Sequence, residues 1–379
     1  MPSVSRRSWV AAFTVALALI CSGGTPAAAV KGRVDRIGPP GNETTVLTVA
    51  GTPYEMGYAH GRLLGDRVRD FVAKVTTGML QGMGVGEEKL DGAYAAMEPL
   101  IPPHYKEEMR GLADGSRLDL KAVQRAHAIP DLSEYHCTFF AAWGKATRNG
   151  HLYQIRALDY ATDAHIQDNA AIIIHKPKGY HAFANIGWTG FIGVVSGIND
   201  RKVAMSEIGD NFGAQHETLQ GEPMPFVMRE VLERCANVGE ATKVLQSARR
   251  TSSFLFLVGD AKAPDARAYV TASDFCRVYT DKTLPFEGRR LPQTLYMSMG
   301  VDSDWNGKVY QVLKARHGSI DESVAMADVM TGLGTGSLHA VAFDATALKL
   351  WVANAGPDRT PAYKREYVPF DLGAAFRRR

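Results

Sequence analysis

A cysteine, an arginine and a carboxylate spaced along a short β-prone stretch can make an activated thiol, and Cys137, Arg156 and Asp159 stand in that order. The thiolate is the nucleophile, and a nearby guanidinium favours it over the thiol. A carboxylate can hold a protonated base in place. What the stretch lacks is an obvious side-chain base. His136 is adjacent to Cys137, but neighbours on a strand point to opposite faces. Cutting the His136–Cys137 bond would supply the missing base. The freed α-amine of Cys137 would lie within reach of its own sulfur and titrate at about 7.7–8.0 unperturbed. The competing readings are a buried core thiol, the usual fate of free cysteine, and a surface ion pair for Arg156 and Asp159.

The elements that must position these residues follow from the flanking pattern. Residues 137–143 are β-prone, Asn149-Gly150 predicts a tight hairpin turn, and 151–156 form the returning strand. Two-residue hairpin pairing makes partner numbers sum to about 299, which sets Arg156 near residue 143 and Asp159 near residue 140. Upstream, 30–45 reads as a linker and 46–130 as mostly helical, with helices over 54–79, 103–112 and 120–129, the last closed by Pro130. Downstream, strands are predicted at 170–175, 181–186, 191–196, 202–206, 254–258 and 268–271. Helices are predicted within 222–247 and at 322–329, with a closing hairpin at 339–352. Strands, then helices, then strands again predict an α+β layered domain rather than a parallel βαβ protein.

Bulk properties exclude several functions. The chain has 379 residues, is 45% hydrophobic and 22% charged, and carries a net charge of +3. No basic stripe interleaved with aromatics argues for nucleic acid. No histidine pair at metal-ligand spacing has an acidic partner, so no metal is expected. The glycine-rich runs 82–86 and 332–336 lack a coenzyme or phosphate-loop context and read as loops, so no cofactor is expected. Arg6 and Arg7 precede an apolar run over 9–21 and then small residues, the pattern of a secretory signal cleaved after Ala28 or Ala29. Together with a cut before Cys137, that would divide the chain into a signal (1–29), a helical propeptide or small subunit (30–136) and a catalytic domain (137–379), secreted or periplasmic. Cys235 and Cys276 either pair or sit inert in the core. Trp188 and Phe191 read as core aromatics or acyl-pocket walls.

The run Cys137-Thr-Phe-Phe-Ala-Ala-Trp through Asn149-Gly150 to Arg156-Ala-Leu-Asp159 resembles the mature start of N-terminal nucleophile (Ntn) hydrolases of the isopenicillin N acyltransferase and choloylglycine hydrolase kind. Gly57-Tyr-Ala-His-Gly61, Tyr105-Lys-Glu-Glu-Met-Arg-Gly and Gly197-Ile-Asn199 are similar to further segments of the acyltransferase group. The resemblance implies a four-layer αββα sandwich, self-cleavage between His136 and Cys137, and retention of the propeptide as a subunit. It implies that Cys137 is the nucleophile of a linear-amide hydrolase, that Arg156 and Asp159 orient it, and that Asn199 donates to the oxyanion. Acyl transfer to an amine, or a non-catalytic binding protein that keeps the fold, are the alternatives. Read alone, Asn199 fits a turn residue equally well.

Overall fold

The computed structural model describes residues 30–133 and 137–378; the predicted signal segment and His136 lie outside them. Before Cys137 the chain forms β1 (Gly32–Ile37), β2 (Thr44–Gly51), α1 (Pro53–Met83), α2 (Glu87–Met97), α3 (Pro103–Ser116) and α4 (Leu120–Ala128). From Cys137 it forms β3 (Cys137–Gly144), β4 (Gly150–Leu158), β5 (Ala170–Pro177), β6 (Phe183–Trp188), β7 (Ser196–Asn199) and β8 (Val203–Gly209). Helices α5 (Met224–Arg234) and α6 (Val238–Ser247) follow, then β9 (Phe254–Asp260), β10 (Asp265–Thr271), β11 (Cys276–Tyr279) and β12 (Thr294–Ser298). The chain closes with α7 (Trp305–Arg316), a π-helical stretch (Val324–Thr331), β13 (His339–Asp344), β14 (Lys349–Asn354), β15 (Val368–Asp371) and α8 (Leu372–Arg377).

The strands make two sheets. One has the order β1-β2-β5-β6-β7-β8-β9-β10-β11, the other β12-β3-β4-β13-β14-β15. Their inner faces meet where Gln154 of β4 donates through Nε2 to Ser206 Oγ of β8 at 2.9 Å and to the Leu257 carbonyl of β9 at 3.2 Å. The opposite face of the longer sheet carries helices. Met56 and Ala59 of α1 bury against Leu47, Val49, Ala171 and Ile173, and Leu232 of α5 lies over Gly197 of β7. On the other side α7 packs against β12 and the π-helical stretch against β4 and β13. The result is the α+β, four-layer αββα order expected from the resemblance.

Local sequence explains why α1 starts where it does. Thr52 accepts from the Glu55 N–H, Glu55 returns a carboxylate to the Thr52 N–H at 2.8 Å, and Pro53 opens the first turn. Such a capping box contributes about 1 kcal/mol. Helix α1 then lies backbone to backbone on α3. A Cβ at Gly57 would come within 2.0 Å of the Glu108 carbonyl oxygen, and one at Gly111 within 2.2 Å of the Tyr54 oxygen. Only glycine permits that approach.

Two expectations fail here. Residues 30–45 are not a linker: Pro39, Pro40 and Gly41 lie in the connection between β1 and β2, and β2 runs parallel to β5. The segment before Cys137 therefore supplies strands to the sheet of the downstream half, besides helices. Residues 191–195 are not a strand, and β7 begins only at Ser196. Gly190 has φ +90°, and several backbone groups of the loop bond to side chains instead of a ladder.

Candidate active site

Cys137 is the first residue of β3, in the interior of the six-stranded sheet. Its carbonyl accepts from the Met299 N–H at 2.7 Å, and across the hairpin it faces Leu158. The predicted register is corrected. Arg156 pairs with Phe139 rather than with residue 143, because β3 ends in an irregularity at Gly144 and residues 145–149 form a longer loop. Asn149 still shapes the return, accepting from the His151 N–H at 3.1 Å. The slip is even in residue number, so each side chain keeps its predicted face. Arg156 thereby stays on the Cys137 face and moves closer to it.

Arg156 Nη2 lies 3.5 Å from Cys137 Sγ and also bonds to the carboxylate of Glu207 on β8. The exposures are 1% for Cys137, 1% for Arg156 and 4% for Glu207. Burial pushes the Cys137 thiol up to about 12; Arg156 pulls it down, Glu207 and Asp159 push it up, and a backbone hydrogen bond with Asp159 lowers it. Burial also raises Glu207, against the pull of Arg156. At neutral pH the thiol of the uncut chain therefore holds its proton, and a base is required to take it. Arg156 Nη1 is buried and has no partner among the described residues, so it is a spare donor beside the sulfur.

Asp159 sits just past β4 and on the other side of that strand from Arg156. Its Oδ1 accepts from the Gly336 and Ser337 N–H groups, both at 2.8 Å, and its Oδ2 accepts from Thr335 Oγ at 2.6 Å. Thr335 Oγ in turn lies 2.9 Å from Thr138 Oγ, which lies 2.7 Å from Ser298 Oγ. Buried hydroxyls thus tie the Asp159 carboxylate to β3 one residue after the nucleophile. The glycine-rich run 332–336, read from sequence as a bare loop, supplies this cradle.

Asn199 does not come to the site. Ser206 faces β4, and the register pairs it with Ser196, so Gly197 and Asn199 look the other way, toward α5. Asn199 Nδ2 donates to the Leu232 and Cys235 carbonyls at 2.9 and 2.8 Å, and its Oδ1 accepts from the Arg201 and Val203 N–H groups. With its groups engaged in closing the end of α5, Asn199 has no donor left for an oxyanion. Asn199→Ala should cost about 1–3 kcal/mol of stability, the penalty of stranding buried polar groups, while kcat per folded molecule stays within about twofold of wild type. Urea denaturation alongside single-substrate kinetics checks both.

Glu207 is the site residue that sequence reading missed. An acidic residue inside the apolar strand Val-Ala-Met-Ser-Glu-Ile-Gly was the available signal, since a charge is buried only when paired. The thiol opens into an apolar cleft whose walls include Phe71, Val75, Ile129, Trp188, Phe191 and Phe254. Trp188 and Phe191 are therefore pocket walls. Phe71, Val75 and Ile129 belong to the segment before Cys137. Cys235 is buried, Cys276 is half-buried, and they do not pair.

Residues 145–284 match the family described as acyl-coenzyme A:6-aminopenicillanic acid acyl-transferase. The matched segment contains Arg156, Asp159 and Glu207, and Cys137 lies just ahead of it. Among curated proteins, Protein dcd1A of Dictyostelium discoideum is 27% identical over 393 residues, spanning 91% of this chain and 88% of its own length. Protein dcd1B of the same organism is 25% identical over 395 residues, spanning 92% and 78%. Among solved structures, the Caenorhabditis elegans N-acylethanolamine-hydrolyzing acid amidase ortholog aligns with a TM-score of 0.45 and 17% identity, over 62% of this chain and all of its own. Penicillin V acylase from Agrobacterium tumefaciens aligns with a TM-score of 0.39 and 13% identity, over 58% and 83%. Residues 145–284 thus match the acyl-coenzyme A:6-aminopenicillanic acid acyl-transferase family, within a chain that has a four-layer αββα order.

Proposed function

We propose that the protein is an exported cysteine hydrolase that cuts itself before Cys137 and then cleaves linear amides bearing an apolar acyl group. The observation that carries this reading is the Cys137 thiol beside Arg156 on the wall of an apolar cleft. Because the cleft walls are apolar, a fatty acyl chain lodged against them gains about 0.8 kcal/mol per buried methylene, which a small acyl group forgoes. Export rests on the basic, apolar and small-residue pattern of residues 1–29. The segment 30–136 stays with the enzyme, because its β2 pairs with β5 and its Glu108 holds Arg229 of α5 at 2.6 Å in the interior.

In self-cleavage the Cys137 sulfur attacks the His136 carbonyl carbon, the thiol proton passes to the departing Cys137 nitrogen as the acyl group moves from nitrogen to sulfur, and water releases the His136 carboxylate. The product is a free α-amine on Cys137. That amine takes the thiol proton as sulfur attacks the substrate carbonyl carbon and the carbonyl π electrons move to oxygen. Arg156 Nη1 replaces Asn199 as the donor beside that oxygen, an interaction worth on the order of 3–4 kcal/mol when well placed. Collapse returns the proton to the leaving nitrogen, breaks the C–N bond and leaves a thioester. Water then adds, giving its proton to the same amine, and the acid departs as sulfur regains a proton.

Transfer of the acyl group to an amine is the second reading, favoured by the family match over residues 145–284. A panel of N-acetyl, N-octanoyl and N-dodecanoyl amides tests the proposal. kcat/KM should rise with chain length by about tenfold or more from acetyl to dodecanoyl. Added hydroxylamine should divert product to the hydroxamate. A cut, folded protein that cleaves none of these amides contradicts the proposal, and product formed only with an amine acceptor selects transfer.

A further inference from the structure

The loop over residues 189–195 forms part of the cleft wall with Phe191 and Val195, and Trp188 precedes it. Its backbone is fastened by side chains from both halves of the chain. His60 of α1 accepts through Nε2 from the Gly190 N–H at 2.9 Å. His127 of α4 accepts through Nε2 from the Ile192 N–H at 3.0 Å, while its Nδ1 donates to the Val123 carbonyl at 2.7 Å. Arg229 Nη1 donates to the Ile192 carbonyl and Asn185 Nδ2 to the Gly193 carbonyl, both at 2.8 Å. The His127 ring stacks on Phe191 with centroids 5.0 Å apart. Gly190 has φ +90°, and a Cβ there would meet Phe71 Cδ1 of α1 at 3.2 Å.

Both histidines accept only as neutral imidazoles. Burial keeps them neutral, holding His60 down to about 3 and His127 down to about 4. Neither contacts the thiol in any described bond, and the proposed mechanism uses neither. Each nevertheless fixes one backbone amide on either side of Phe191.

We propose that His60 and His127 are specificity-positioning residues: by holding the 189–195 loop they set the depth of the acyl cleft and select a long acyl chain. This rests on the amide-hydrolase reading above. It makes the segment before Cys137 the part of the protein that reads the acyl group, with Phe71 and Val75 as wall and the two histidines as anchors.

His60→Leu and His127→Leu remove the acceptors; His60→Gln and His127→Gln offer a carbonyl oxygen in their place. KM and kcat are measured on the acetyl, octanoyl and dodecanoyl amides. In parallel, dansyl-undecanoic acid is titrated into each variant carrying Cys137→Ala. The leucine variants should raise KM for the dodecanoyl amide by about tenfold, with a smaller rise for octanoyl and the least for acetyl, and kcat should move less than KM. Probe binding should weaken by about tenfold, and the glutamine variants should recover most of both effects. Phe191→Ala, which disturbs no buried polar group, should show the same graded profile and serves if a leucine variant does not fold. Losses equal at every chain length, or an unchanged dodecanoyl KM, overturn the proposal. If the wild type cleaves no amide, the hydrolase reading fails by itself. Probe binding then decides the anchors, and unweakened binding in the folded leucine variants or in Phe191→Ala overturns them.

Discussion

Replacing Cys137 with alanine leaves a full-length, folded chain that turns over no amide, with activity down on the order of 10⁵–10⁶-fold, as for loss of a nucleophile that acts as a unit with its base. The substitution removes one sulfur from a packed position of 1% exposure, so the fold survives it. Both losses share one cause. The sulfur performs the self-cleavage that releases the α-amine, and the amine is the base for every later step. Among the described residues, no side chain near the thiol substitutes for it. Asp159 is engaged by Thr335, Gly336 and Ser337, and Glu207 is paired with Arg156. Intact mass and an amide assay on one sample report both losses. Appreciable turnover by the alanine variant would remove Cys137 from the chemistry.

Arg156→Met is the second large effect. It strands the Glu207 carboxylate at 4% exposure, and breaking a buried pair by removing one partner costs about 3–5 kcal/mol. It also removes the cation that favours thiolate and the spare Nη1 donor, so kcat falls by at least about 10²-fold. Glu207→Gln alone leaves the guanidinium without its anion. The double variant Arg156→Met/Glu207→Gln, with no unpaired charge, should recover most of the lost stability but none of the activity. Urea denaturation of the singles and the double forms the cycle that reads this. Additive losses would mean that the two residues act independently and that the ion pair does not organise the site.

The sequence carried much of this site because its key relations are local. Cys137, Arg156 and Asp159 lie on one hairpin, and face parity along a strand survives an even slip in register. The α+β layering followed from the alternation of strand and helix segments. The failures are non-local. Asn199 sits in a motif that suggests an oxyanion donor, yet it ends up capping α5, because β7 turns that face of the sheet to the helix layer. Glu207 reaches Arg156 only when β8 of one sheet meets β4 of the other. Residues 30–45 look like a linker until β2 finds β5, more than a hundred residues downstream. The 191–195 run has the composition of a strand, but His127 and Arg229 take hydrogen bonds of Ile192 that a neighbouring strand would have taken. In each case the deciding partner is remote in sequence, and local propensity is a weak prior against it.

Every turnover step proposed for Cys137 requires that the His136–Cys137 bond is broken and that the amine so released works for the thiol. Intact mass spectrometry with N-terminal sequencing of the purified, active protein measures the break directly. The expected result is a fragment running from Cys137 to the C-terminus, with cysteine as its first residue, eluting together with the segment that ends at His136. A single unbroken chain through 136–137 that hydrolyses amides at the full rate would contradict it.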